Sequence, residues 1–216
     1  MASNTKPNFS AAYSKAKSRV ISTFPFSPID LVKEQSAIKC RTYKKARKYG
    51  IDITAFGSES ATIFEYGGRQ IIFYDDSKLI THVKYSILHE LGHPLNNHDF
   101  SVTDKEIYGR YEVETNYFAA QLLMPEQILR EFTNRGIRIT KELLMQHFEV
   151  SETAAKKRIE TLAKTTVEWR SRQEKEFDDV ILFKFAAFID SICPPRKNYY
   201  DFEDEYDRQR ERDAWY

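Results

Sequence analysis

The sequence has 216 residues, and its 33 Lys and Arg residues nearly balance its 32 Asp and Glu residues, so the formal net charge is +1. This balance excludes a whole-chain polycation that binds nucleic acid through its charge, and it equally excludes a strongly acidic, solvating chain. The length and the 41% hydrophobic composition predict one globular unit of ordinary size, with at most a small appendage.

The sequence shows no membrane or secretory signal. The most apolar stretch, residues 180–189, is interrupted by Lys184 and is far shorter than the roughly 20 residues that cross a bilayer. The first residues lack the apolar core of a secretory signal. Cys40 and Cys193 lie far apart, without the spacing of a zinc ribbon or a disulfide framework. We therefore expect a cytoplasmic protein with plain, buried or half-buried thiols and no membrane partner.

Apolar periodicity and capping signals predict the elements of the first half. A helix is expected from Phe9 to about Phe24, and a second from the Ser27-Pro28 cap to about Lys48. The basic run in the second helix is interpreted as a solvated face, with nucleic-acid binding as the alternative. Strands are expected at 51–55, 61–66 and 69–74, the last two joined by a Gly67-Gly68 hairpin turn.

The second half is predicted to be helical. The first helix is expected at 78–93, after Asp75-Asp76-Ser77 and before Pro94. Further helices are expected at 105–124, 139–147 and 151–163. A last helical stretch is expected to continue to Ile189, with a break near Arg172 and an end at Pro194-Pro195. The expected fold class is α+β, with a small antiparallel sheet packed on one helix and a mainly helical C-terminal lobe. The expected organisation is a flexible arm at 1–8, a core at 9–135, a helical lobe at 136–192 and a charged tail at 193–216.

Four of the five histidines lie between residues 82 and 98, and two of them belong to the sequence His89-Glu90-Leu91-Gly92-His93 at the end of a predicted helix. Residues four apart share one helix face, so both imidazoles can bind one ion while Glu90 points at a metal-bound water. This HExxH pattern is typical of a hydrolytic zinc site. The alternative is a pair of surface histidines on an ordinary helix.

A catalytic zinc ion has three protein ligands and one open position, so we expect a third ligand downstream. The helix predicted at 105–124 carries Glu112 and Glu114, which are both within the sequence distance of a thermolysin-like third ligand. They lie about 200° apart around a helix, so only one of them can face the ion. The spacing leaves this choice open, and the alternative is that both glutamates are solvated.

Two motifs carry a family resemblance. The HELGH sequence and the run Glu-Val-Glu-Thr-Asn-Tyr-Phe-Ala-Ala-Gln-Leu-Leu-Met-Pro at 112–125 resemble the ImmA/IrrE family of metallo-endopeptidases, whose usual form is close to E-x-E-A-N-x-F-A-A-x-L-L-M-P. Thr115 replaces the usual alanine. The resemblance implies that Glu114, the glutamate before that position, is the third Zn²⁺ ligand with His89 and His93. It also implies that Glu90 is the catalytic general base.

The resemblance further implies a function and a partner. The expected activity is that of a zinc-dependent endopeptidase that hydrolyses a peptide bond in a specific protein. The expected substrate is a helix-turn-helix transcriptional repressor of a mobile element or prophage, and nucleic acid is not expected as a direct ligand. The alternatives are a non-proteolytic regulatory protein that binds a repressor or DNA, and a toxin–antitoxin component.

Three further residues are candidates for supporting roles at the site. His82 lies about two turns before His89 on the same face, where it could hydrogen-bond a metal ligand. His98 and Tyr117 are candidate donors to a tetrahedral oxyanion, and the sequence does not choose between Tyr117 and Tyr111 for this role. The alternative for both histidines is a plain surface or loop position.

Residues 139–162 resemble a helix-turn-helix, with Lys156, Lys157 and Arg158 where phosphate contacts would be made. We interpret this segment as a structural or substrate-docking part of the helical lobe, with DNA recognition as the alternative.

Overall fold

Helices surround one small sheet in the part of the chain that the computed structural model describes, residues 10–35, 37–52, 54, 59–164 and 172–193. In chain order the elements are α1 (Ser10–Ala16), α2 (Pro28–Lys33), β1 (Ile38–Thr42), α3 (Tyr43–Ala46), a 3₁₀ turn (Arg47–Tyr49), β2 (Ala61–Tyr66), β3 (Arg69–Tyr74), α4 (Ile80–Leu95), α5 (Lys105–Leu123), α6 (Glu126–Asn134), α7 (Lys141–Phe148), α8 (Glu152–Lys164), α9 (Arg172–Lys184) and α10 (Ala186–Ile192). The predicted α+β class is confirmed.

The predicted hairpin is confirmed, with β2 and β3 antiparallel and Ile63 opposite Ile72. Gly67 and Gly68 both have positive φ, 57° and 71°, as a tight two-residue hairpin turn requires. The third strand differs from expectation, because β1 pairs parallel to β3 and makes the sheet mixed, in the order β1-β3-β2. Within the described part of the chain, β2 is therefore an edge strand.

Both N-terminal helices are shorter than predicted. The first ends at Ala16, where the Ser18 amide donates to the Lys15 carbonyl in a turn. The second begins at its predicted Ser27 cap but ends at Lys33, so a helix reaching Lys48 is wrong. Pairing with β3 holds residues 38–42 in a strand instead. The strand predicted at 51–55 is not found at residues 51 and 52, which have no regular structure. Residues 53 and 55 fall outside the described part of the chain.

The central helix α4 also departs from its predicted bounds. It starts at Ile80 rather than Lys78, because the Asp75 carboxylate accepts from the Ser77 amide in a local turn. Pro94 does not stop it, since a proline in the last turn removes only one helical hydrogen bond. The helix closes through the Asn96 amide, which donates to the Gly92 carbonyl, and Asn97 follows with φ 56°.

Beyond α4 the predicted helices are confirmed with small shifts. Helix α5 is capped by the Asp104 carboxylate, α7 by the Thr140 hydroxyl, and the Ser151 hydroxyl accepts from the Ala154 amide at the start of α8. Helix α6, after Pro125, was not predicted. The last helical stretch is interrupted at Phe185 between α9 and α10, whereas the break predicted near Arg172 borders residues outside the described part. The charged tail lies outside it as well.

Helix α4 lies against both β2 and α5, and these contacts form the core that positions the site. Leu88 and Leu91 of α4 and Phe118 of α5 are fully buried there. A Cβ atom on Gly92 would lie 3.2 Å from the Phe118 ring and 3.3 Å from the Thr115 Cα. The absence of a Cβ at this position therefore permits the close approach of α4 and α5. Cys40 is half-buried and Cys193 buried, both as free thiols, as predicted. No helix in the described ranges is long and apolar enough to span a bilayer.

Candidate metal centre

Helices α4 and α5 bring two imidazoles and one carboxylate together. His89 and His93 are one turn apart on α4, with ring centroids 5.3 Å from each other. The Glu112 carboxylate of α5 lies opposite them, with Oε2 3.3 Å from His89 Nε2 and Oε1 3.7 Å from His93 Nε2. These three side chains therefore face one point between the two helices.

Glu114 lies elsewhere, which corrects the expectation that it joins the two histidines. Its Oε2 is 2.8 Å from Nε2 of His98, and His98 is in turn stacked on the Tyr111 ring at 4.0 Å. The cause is the rotation of α5 about its axis. Thr115 and Phe118 pack against Gly92 of α4, and this contact turns Glu112 towards the two histidines.

His98 connects Glu114 to His93. Nδ1 of His93 and Nδ1 of His98 are 3.1 Å apart, and both rings are buried. If Nε2 of His93 is the unprotonated nitrogen that would bind a metal, its Nδ1 carries the proton and donates to His98. Nε2 of His98 must then carry a proton, which it donates to Glu114. One set of tautomers therefore satisfies the whole chain His93–His98–Glu114.

Glu90 is attached to the sheet. Its Oε2 accepts from the Ile63 amide of β2 at 2.8 Å. The ligand atoms of His89, Glu90 and His93 also lie within 4.8 Å of one another, so Glu90 borders the same point. Because Glu90 is bound to β2 and Glu112 lies across from both imidazoles, the two carboxylates have different surroundings.

The ionisable groups of the centre have perturbed pKa values. Burial raises the pKa of Glu90 to about 7, against the opposing effect of His89, and burial together with the charge of His89 lowers the pKa of His93 to about 4. Burial also disfavours the charged form of His89, but Glu112 and Glu90 outweigh it and raise its pKa. His89 in turn lowers the pKa of Glu112. Such perturbation is typical of functional sites.

The donor set fits a zinc ion. Two imidazole nitrogens and one carboxylate are a common ligand set of catalytic zinc. With bonds of about 2.0–2.2 Å, a tetrahedral ion separates its ligand atoms by roughly 3.3–3.6 Å. The shortest separations from Glu112, 3.3 Å from Oε2 to His89 Nε2 and 3.7 Å from Oε1 to His93 Nε2, lie close to this spacing.

Comparison with known families also supports a metal-binding site. The model of peptidase family M78, described as an IrrE N-terminal-like domain, matches residues 46–160, which is more than half of the chain. The chain belongs to this family. A search of curated proteins gives no match. Membership of M78 supports a metallopeptidase-type function, and the matched range contains α4 and α5 with the whole centre.

Two further residues of α5, which the sequence did not indicate as functional, also lie beside the centre. Asn116 is among the groups that raise the pKa of His89, and Tyr108 among those that lower the pKa of Glu112. Both lie four positions from Glu112 on α5, one on each side, so they share its face. Once Glu112 is known to face α4, this four-residue spacing predicts that Asn116 and Tyr108 lie beside it. Thr115, where the M78-like pattern has alanine, places its hydroxyl 3.3 Å from His89 Nε2.

The remaining candidate residues of this M78 chain lie beside the centre. His82 and Tyr117 line a separate cavity between α4, α5 and α8. The helix-turn-helix-like segment forms α7 and α8. Its Arg158 is only 3% exposed and donates to the Met124 carbonyl, so it is not available to a phosphate.

Proposed function

We propose that the protein is a zinc-dependent endopeptidase in which His89, His93 and Glu112 hold the ion. The observation that carries the proposal is the convergence of these three side chains, with Glu90 adjacent, in a chain of peptidase family M78. Glu112 takes the role that the sequence resemblance gave to Glu114. When bound, zinc polarises the scissile carbonyl and makes a water molecule acidic enough to ionise near pH 7.

The protein's own groups supply the remaining steps. Glu90 takes a proton from the attacking water on a carboxylate oxygen and later donates it to the leaving amine. The chain His93–His98–Glu114 keeps Nε2 of His93 aimed at the ion. The outer edge of β2, where the Ile63 amide points, offers a place at which an extended peptide can add as a strand.

The proposed substrate is a helix-turn-helix repressor encoded beside the gene. This part of the proposal rests on the family resemblance of the HELGH and 112–125 motifs. The protein would relieve repression by cutting that repressor at one site.

The test is to incubate the purified, zinc-loaded protein with the neighbouring repressor and to follow fragments by mass spectrometry. We expect fragments that disappear with a chelator. Glu90→Gln should keep zinc but lose at least about 100-fold in cleavage rate, the lower end of what a general base contributes. Cleavage by Glu90→Gln at the wild-type rate would contradict the mechanism, and repressor binding without fragments would favour a non-proteolytic regulator.

A further inference from the structure

A cavity of about 520 Å³ lies between α4, α5 and α8, outside the metal centre. Its volume is within the range of pockets that bind small ligands or several side chains. Apolar surface comes from Tyr85 of α4, Val113 and Ala120 of α5, and Ala154 of α8. Val113 is 58% exposed, so part of this apolar surface is open to solvent.

The cavity adjoins the metal centre through two hydrogen-bonded side chains. The Tyr85 hydroxyl donates to the Asn116 side-chain oxygen at 2.9 Å, and Asn116 is near enough to His89 to contribute to its raised pKa. Both Tyr85 and Asn116 line the cavity. Tyr85 lies one turn before His89 on α4 and Asn116 one turn after Glu112 on α5, so the cavity continues the same faces of the two helices that form the centre. A peptide held at the centre can therefore place a neighbouring side chain in the cavity.

The charges around the cavity are of one sign. Lys157 and Arg158 are the charged residues of its lining, and none of the described lining residues is acidic. Arg158 is already bound to Gln121 and Met124. Lys157 has no carboxylate within ion-pair distance among the described residues, although its neighbour Lys156 pairs with Glu152 at 2.9 Å. Lys157 is thus the cation placed to attract an anionic group.

We propose that this cavity is the specificity site of the proposed endopeptidase and that it selects a large apolar side chain followed by an acidic residue. The apolar walls bind the first side chain and Lys157 binds the carboxylate of the second. This inference rests on the proposed function for its catalytic meaning, but the recognition itself can be measured by binding alone.

The test measures fluorescence anisotropy of labelled peptides on the zinc-loaded Glu90→Gln protein, which consumes no substrate. Three peptides of one length carry Phe-Glu, Phe-Lys or Ala-Glu at their centre. We expect Phe-Glu to bind about fivefold more tightly than either of the others, the scale of one exposed ion pair or one partly buried side chain. Equal binding of the three peptides, or no binding at all, would overturn the inference.

Two pairs of variants locate the effect, each made in the Glu90→Gln background. Lys157→Glu should invert the order of Phe-Glu and Phe-Lys, a swing of about tenfold, whereas Lys156→Glu should not. Val113→Ser should weaken Phe-Glu towards Ala-Glu, whereas Val180→Ser, at an exposed valine on α9, should not. Lack of inversion in a folded Lys157→Glu protein would refute the role of the lysine. Selective binding with no cleavage by the wild type would instead count against the endopeptidase function.

Discussion

Glu112 and Glu114 are two positions apart on α5, yet they belong to different parts of the centre. Glu112 faces both imidazoles, and Glu114 accepts from His98. A direct ligand contributes to the binding free energy of the ion itself, whereas an outer partner only orients a ligand. Substituting the two glutamates one at a time therefore separates the two roles.

We predict that Glu112→Gln loses high-affinity zinc binding, while Glu114→Gln loses only about 10–100-fold, as is typical for a partner of a metal ligand. Competition with a chromogenic chelator measures both affinities. Each variant serves as the control for the other, because the substitution is identical and the helix is the same. A larger loss in Glu114→Gln than in Glu112→Gln would restore Glu114 as the third ligand.

His98 is predicted to act through His93 rather than on the substrate. His98→Phe keeps a ring that can stack on Tyr111, but it removes the nitrogens that contact His93 and Glu114. We expect about 10–100-fold weaker zinc binding, together with a loss of stability of about 1–3 kcal/mol because buried His93 loses its hydrogen-bonding partner. In combination with Glu114→Gln the losses should be less than additive, since both variants break the same chain. Wild-type zinc affinity in His98→Phe would contradict this positioning role.

At the level of elements, the contact between α4 and α5 fixes the separation of the three proposed ligands. Gly92 lies where a Cβ would meet Thr115 and Phe118 at 3.2 Å and the Thr115 Cα at 3.3 Å. The backbone atom cannot rotate away, so a larger residue must push the helices apart by a few tenths of an ångström. The motif glycine is therefore a packing requirement of the metal centre.

We predict that Gly92→Ala destabilises the protein by about 1 kcal/mol, because overpacking of about 1–3 kcal/mol exceeds the gain in helix propensity. Zinc affinity should fall as well, since α4 carries two ligands and α5 the third. Urea unfolding and chelator competition measure the two effects. Gly109→Ala is the matched control, because nothing lies within 4 Å of its Cβ position, and it should stabilise α5 by about 0.5–1 kcal/mol. A stabilised Gly92→Ala protein with normal zinc affinity would refute the packing argument.

Local signals predicted the features that depend on neighbours in sequence. The Gly67-Gly68 turn, the Ser27 cap and the His89/His93 pair all follow from spacings of a few residues, and the structure contains each of them. Strand β1 was missed because its pairing partner lies about thirty residues further along the chain. The choice of Glu112 depends in the same way on the rotation of α5 against α4, which no local pattern encodes.

At the scale of the whole molecule, a buried polar chain ties the helical lobe to the end of α5. Arg158 of α8 donates to the Met124 carbonyl at 3.0 Å and to the Gln121 side-chain oxygen at 2.6 Å. Gln121 donates to Gln127 of α6, which donates to Asp178 of α9. Four helices are thereby connected through hydrogen-bonded side chains.

We predict that Arg158→Met destabilises the protein by about 2–4 kcal/mol, because it leaves a buried carbonyl and a buried amide oxygen without this donor. Urea unfolding measures the loss, and Lys157→Met, one position away at an exposed site, should change stability by no more than about 0.5 kcal/mol. Zinc affinity of the folded Arg158→Met protein should stay at the wild-type level, since Gln121 lies nine residues, roughly 13 Å along the helix, from Glu112. Weakened zinc binding in that folded variant would mean that the lobe also sets the geometry of the metal centre.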